Sequence, residues 1–316
     1  MTRLIADIGG TNARFALSDE AGLPRQARSL PVARHAGPGV AARAYLAGLP
    51  EPPGPIQEAV IAVATPVDAE TIRFTNSPWT FTRKQIKAEL GIDRLAVIND
   101  FAAQAAAIPH LGPLDRVAMG GGEADPAWPV AVIGPGTGLG AAALVPGPDG
   151  PIVVASEAGH VSFAPQDDEE IELLRLLRAR HGHVSTERLL SGPGLLALAK
   201  ALAELTSSRL EAATPEAVSR AAGEGSCPVS ILALRRFSAI LGAATGDLAL
   251  TFCARGGVYV SGGLCPKLGP LLDLETFRRS FEAKGRLEAF LARIPVWLVT
   301  TEWAGLLGAA RFRFAT

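Results

Sequence analysis

The chain has 316 residues, 48% of them hydrophobic, with 30 Lys plus Arg against 31 Asp plus Glu and a formal charge of −1. At roughly 150 residues per domain this length gives two domains or one large one, with enough apolar material for a buried core. Lys and Arg are scattered among acids, which speaks against a nucleic-acid partner. Charges and Pro66 interrupt the apolar runs, so no membrane span is expected, and the first seven residues are too short for the apolar core of a signal peptide. Cys227, Cys253 and Cys265 are widely spaced and form no C-x-x-C pair, against a disulfide framework or structural zinc and for a reducing, cytoplasmic setting.

In chain order, residues 4–8 read as a strand that ends at Gly9-Gly10-Thr11, and residues 14–17 resume an extended pattern, making a hairpin with a glycine-rich tip. A third strand near 27–32 and a helix around 40–46 precede the proline-rich break at 50–55. A strand at 59–64, an irregular stretch at 74–79 and a helix at 82–90 follow. Residues 95–98 form a buried-type strand that runs into Asn99-Asp100 and an Ala-rich helix over 101–108, stopped by Pro109. The second half starts the pattern again, with a strand at 130–133, a glycine-rich turn from Gly134 to Gly140 and a returning strand at 141–145. This weak internal repeat suggests two related lobes facing one another. Helices are predicted at 171–180, 194–205 and 231–252, then a strand over 257–263 ending in Gly262-Gly263, and a last helix at 304–312. Cys253 and Cys265 flank that strand and are expected to pack as small apolar residues.

Glycine in a hairpin tip ordinarily does no more than supply positive φ. Two such turns, both keeping Thr and one preceded by Asp7, fit a phosphate cradle better, because bare backbone lets N–H groups approach anionic oxygens and Thr adds a hydroxyl. Neither turn is followed by G-K-[ST], and neither is a G-x-G-x-x-G opening a helix, so a Walker-type loop and a dinucleotide fold are disfavoured. Asp7-Ile8-Gly9-Gly10-Thr11-Asn12 resembles the first phosphate motif of the sugar-kinase, actin and heat-shock-chaperone superfamily. The segment Gly134 to Gly140 resembles its second phosphate motif, and Gly256 to Gly263 its adenosine motif. Within that superfamily the chain is most similar to the bacterial glucokinase family, through Ile98 to Ala103, Ser156 to Pro165, Glu187 to Gly192 and Gly305 to Ala309, in family order over nearly the whole chain. Ala158 stands where the family usually has a second Gly.

The resemblance implies an α/β fold of two ribonuclease-H-like lobes, the actin-like ATPase fold, with an interlobe cleft. Residues 1–110 plus 301–316 would form the small lobe, and 111–300 the large lobe with the adenosine site and most sugar contacts. It also implies a glucokinase that transfers the γ-phosphoryl of ATP to the 6-hydroxyl of D-glucose, in the first step of glycolysis, and that the cleft closes on the sugar. Its partners would be glucose, ATP and Mg²⁺, with no nucleic acid and no membrane; a homodimer is implied by the family alone. ATP contacts fall on Ala6, Asp7, Ile8, Gly9, Gly10, Thr11, Gly136, Thr137, Gly138, Gly262 and Gly263.

Asp100 reads either as a helix N-cap or as a carboxylate at a strand's carboxyl end, and the two roles need not conflict. By the resemblance it is the base that orients the attacking hydroxyl and accepts its proton. Glu157 and His160 are spaced as zinc ligands could be, but no further Cys or His lies close by. The zinc-bearing relatives carry a cysteine-rich segment after this histidine, and residues 161–185 contain no Cys. Sugar recognition remains, and Asn99, Asp100, Glu157, His160 and Glu187 match the family's hexose contacts. Glu187 also reads as part of an ordinary helix start, and Asn76 either lines the same pocket or marks a turn before Ser77-Pro78. Asp7 either ends its strand or holds Mg²⁺ through water, and the His181-Gly182-His183 pair reads as exposed loop. The alternatives are a kinase for another hexose and a non-catalytic sugar-sensing regulator; with the first phosphate motif at Asp7, no helix-turn-helix is expected ahead of it.

Overall fold

The structure is a computed structural model that describes residues 2–19, 21–74 and 77–314; Asn76 lies outside the described residues. The chain divides into two units, one made of Met1–Gly112 and Thr301–Thr316, the other of Pro113–Thr300.

The first unit contains β1 (Arg3–Ile8), β2 (Asn12–Ser18), β3 (Pro24–Pro31), α1 (Pro38–Ala47), β4 (Glu58–Val63), β5 (Thr71–Arg73), β6 (Thr80–Thr82), α2 (Arg83–Leu90), β7 (Arg94–Asn99), α3 (Asp100–Ala107) and the C-terminal helix Ala304–Arg311. Its main sheet has the order β3-β2-β1-β4-β7, antiparallel through the first three strands and parallel through the last three. The period-2 alternation of β1 explains why it is apolar on both faces: Leu4, Ala6 and Ile8 enter one core with Tyr45 and Trp79, while Ile5 enters another with Leu306 and Ala309 of the C-terminal helix. Strand β7 is an edge strand in which only Val97 is buried, a correction to its reading as a buried strand. Its apolar Ala96 and Ile98 pack against the core that the C-terminal helix completes.

The second unit contains β8 (Arg116–Gly120), β9 (Val130–Pro135), β10 (Leu139–Val145), β11 (Ile152–Ser156), α4 (Asp168–His181), α5 (Gly192–Leu205), α6 (Pro215–Gly223), α7 (Pro228–Phe252), β12 (Val258–Val260), α8 (Leu264–Leu268), α9 (Leu274–Glu282), α10 (Glu288–Ala292) and β13 (Val296–Val299). Its sheet order is β11-β10-β9-β12-β13-β8. The first five strands repeat the scheme of the other sheet, an antiparallel triplet followed by two parallel additions, and β8 closes the edge antiparallel. The weak sequence repeat is thus a repeated ribonuclease-H-like strand order. Helix α7 corrects the expectation that no apolar run reaches membrane length: its 25 residues are long and apolar enough to cross a bilayer, but 67% of the apolar window is buried. Phe237, Ile240, Leu241 and Leu248 put its apolar side into the same core as Phe277 and Phe281 of α9. Cys265 is buried as expected, whereas Cys253 is exposed at the end of α7, where φ is +48° and the chain leaves the helix.

Candidate functional site

In the first unit, the β1–β2 hairpin presents Gly9, Gly10 and Thr11 at its tip, closed by the Gly9 N–H donating to Asn12 O at 3.0 Å. Neither glycine has positive φ, so turn geometry alone does not account for them. Ala6 and Ile8 have fully buried side chains, so of the residues proposed to meet ATP these two could contribute only through main chain. The hairpin register sets Arg14 opposite Asp7, and its guanidinium lies 3.5 Å from the Asp7 carboxylate. Burial pushes Asp7 above the usual carboxylate range, and Arg14 partly offsets this. A Cβ on Gly305 of the C-terminal helix would stand 2.7 Å from that carboxylate, so the bare backbone there keeps room for it. Arg14 was not singled out in the sequence, although it follows directly once the hairpin is drawn.

At the end of β7 the structure separates two roles that the sequence left joined. The cap of α3 is Asn99, whose Oδ1 accepts the N–H groups of Phe101 at 2.9 Å and Ala102 at 3.1 Å. Asp100 is the first helical residue, half-buried, with Oδ1 2.9 Å from the N–H of Phe101. With its oxygen committed to the cap, Asn99 has its amide NH₂ as the group to offer a ligand.

In the second unit the β9–β10 hairpin carries Gly136, Thr137 and Gly138, with the Gly136 N–H donating to Gly138 O at 2.7 Å and Thr137 exposed. Gly262 packs against this hairpin: its φ is +83°, and a Cβ would lie 2.6 Å from Pro135 O. Gly263 follows as the residue before α8. Glu187 lies on a 3-10 turn, Thr186–Arg188, rather than a helix start, and its Oε2 accepts the N–H of Leu139 at 2.9 Å. Glu157 precedes another 3-10 turn, Ala158–His160, and His160 ends it; their side chains are 58% and 59% exposed and 3.9 Å apart. That turn rests on the hairpin through Gly159, whose missing Cβ leaves room for Leu139 O. The second phosphate-like turn, the glycine pair, Glu187 and the Glu157–His160 turn therefore gather around one hairpin tip.

Among the described residues no group of three His, Cys, Asp or Glu could hold a metal ion. His181 is the last residue of α4, and His183 is exposed, its Nε2 3.2 Å from His160 O. A cavity of about 430 Å³ beside the Glu157 turn is lined mainly by apolar residues, among them Leu139, Phe163, Ile240 and Phe252. It includes Glu157 but neither His160 nor Glu187.

The family model for glucokinase matches residues 4–315. The chain is 46% identical over 312 residues to a protein of Aromatoleum aromaticum named glucokinase, covering 98% of this chain and 93% of that one. A crystal structure of glucokinase from an Antarctic psychrotroph is 39% identical and superposes with a TM-score of 0.85, covering 98% of both chains. A ROK-family glucokinase from Streptomyces griseus, crystallised with glucose and AMPPNP, superposes with a TM-score of 0.66 at 23% identity, covering 98% of both chains, and shows the shared actin-like ATPase fold.

Proposed function

The chain belongs to the glucokinase family, and from that premise we propose that it transfers the γ-phosphoryl group of ATP to the 6-hydroxyl of D-glucose, giving glucose 6-phosphate and ADP. The observation that carries this reading is the 46% identity across 98% of the chain to a curated glucokinase. The Streptomyces griseus relative with glucose and AMPPNP supports the same substrate pair.

Asp100 accepts the proton of the 6-hydroxyl as that oxygen bonds to the γ-phosphorus and the bond to the β–γ bridging oxygen breaks, releasing ADP. A carboxylate is a weak base for an alcohol, so Asp100 works by orienting the hydroxyl and taking the proton late. Asn99, Glu157, His160 and Glu187 contribute a mixture of donors and acceptors suited to sugar hydroxyls. Main-chain N–H groups at the two glycine–threonine turns meet the phosphates, and Gly262 and Gly263 leave backbone open to the nucleoside. Mg²⁺ fits Asp7 by donor type: a carboxylate is a hard oxygen ligand, and the bare backbone at Gly305 leaves room for the carboxylate itself. When bound, the ion neutralises phosphate charge during transfer. Asp7 would hold it through water. A cytoplasmic homodimer acting at the start of glycolysis completes the reading.

The test is an ADP-release assay over a hexose panel with several phosphoryl donors. Glucose with ATP is the expected best pair. Activity on another hexose with glucose inert would overturn the substrate, and no ATP-dependent turnover on any sugar would overturn the reaction.

A further inference from the structure

We propose that Glu187 is a positioning residue for the second glycine–threonine turn, so that nucleotide affinity depends on a side chain otherwise read as a sugar contact. The inference deepens the kinase reading and rests on it for both halves of this coupling, the phosphate contact of the turn and the sugar contact of Glu187.

The position of one atom, Glu187 Oε2, places the carboxylate in the turn. Its Oε2 accepts the N–H of Leu139 at 2.9 Å, the first amide of β10 after the tip. A Cβ on Gly138 would stand 2.5 Å from that same oxygen, so the carboxylate occupies the space a side chain at Gly138 would need. The other end of the turn is held from the same segment, where the Gly192 N–H donates to Gly136 O at 2.8 Å. Between these two ties, Ser191 Oγ donates to Glu187 O at 2.9 Å and accepts the Gly194 N–H at 3.0 Å, joining the brace to the first turn of α5. Residues 187–192 thus hold both ends of the turn, and Glu187 is the one link made by an ionisable side chain.

The sign of this role is unusual. A carboxylate beside a turn that meets phosphate opposes an anion by its charge, while the hydrogen bond it accepts favours the anion by fixing the backbone. Removing the bond and removing the charge should therefore act in opposite directions. Glu187→Gln keeps an acceptor oxygen for Leu139 N–H and loses the charge; Glu187→Ala loses both.

The experiment is calorimetric titration of the full chain with ADP alone in magnesium buffer, without sugar. Glu187→Gln is expected to bind at least as tightly as wild type, and Glu187→Ala about tenfold more weakly than Glu187→Gln, the scale of one lost hydrogen bond. Equal ADP affinity in Glu187→Gln and Glu187→Ala overturns the proposal, as does Glu187→Gln binding more weakly than wild type. Gly138→Ala provides a second route should Glu187→Ala not fold, because its methyl displaces the flexible carboxylate. It is expected to weaken glucose binding severalfold in the absence of nucleotide, and an unchanged glucose affinity overturns the coupling. Wild-type turnover of glucose is measured in parallel: its absence would sink the kinase reading without altering the ADP comparison.

Discussion

Asn99 and Asp100 are adjacent and both accept the Phe101 N–H, but only Asn99 also accepts that of Ala102. Asp100 is a typical capping residue type, but Asn99 supplies the cap and leaves the Asp100 carboxylate on the first turn of α3. Asp100→Asn is therefore expected to cost about 10²-fold or more in kcat with little change in the KM for glucose and little loss of stability, read from steady-state kinetics and thermal unfolding. Near-normal turnover would remove Asp100 from the proposed chemistry. Asn99→Asp keeps the capping oxygen and loses the NH₂ donor; it should raise the glucose KM while the melting temperature holds. Asn99→Ala should lower stability by about 1 kcal/mol as well. At Asp7, a methyl on Gly305 would press on the carboxylate from 2.7 Å. Gly305→Ala is expected to lower kcat/KM for ATP and to cost about 1–3 kcal/mol in urea unfolding. Unchanged nucleotide kinetics in that variant would disconnect Asp7 from the phosphates.

The long, strongly patterned elements were legible in the sequence. The two hairpins show alternation and glycine tips, α2 carries its Thr82 cap and Gly91 stop, and α7 a long run of apolar and small residues interrupted only by Arg235, Arg236 and Asp247. The short β5 and β6, and the edge strands β8 and β11, left little trace because three to five residues give almost no periodicity. Helix α9 was missed although it carries a usable signal: Phe277 and Phe281, one turn apart and stacked at 6.4 Å, are its buried face. Its cap, Asp273, accepts the Thr276 N–H at 2.9 Å and the Thr276 hydroxyl at 2.7 Å, which holds the Asp273 carboxyl below its ordinary value of 3.8. A depressed carboxylate contributes stability above its unfolded pKa and loses it as pH falls through the folded one. Asp273→Ala should accordingly cost about 1 kcal/mol at pH 7, with the difference from wild type shrinking as pH falls below about 3.8 in denaturant titrations. A pH-independent difference would mean that the cap does not depend on the charge.

At the scale of the whole molecule, the chain leaves its first unit at Gly112 and returns to it at Thr301. The returning helix completes a core with Ile5, Ala16 and Val60, and Gly308 lets its backbone come close to Ala103 of α3. Arg3 of β1 pairs with Glu58 on the neighbouring β4 and donates to the main chain at Ala310 and Phe312. Truncation after Trp303 should therefore strip hydrogen-exchange protection from β1 and β4 while α7 and α9 of the second unit stay protected. Retained protection in β1 would show that the first core stands without its last helix.

The sequence by itself determined the paired hairpins, the glycine–threonine turns and the family, because alternation, turn chemistry and motif order are written in consecutive residues. Only the tertiary structure decided that β7 is an edge, that α7 is a core helix despite its membrane-length apolar run, and that Cys253 is exposed. It alone brought the Glu187 carboxylate to Leu139, 48 positions away, and Gly305 to Asp7. The physical reason is common to all of these. Burial and long-range hydrogen bonding depend on which surfaces meet after the strands pair, and no local pattern carries that information.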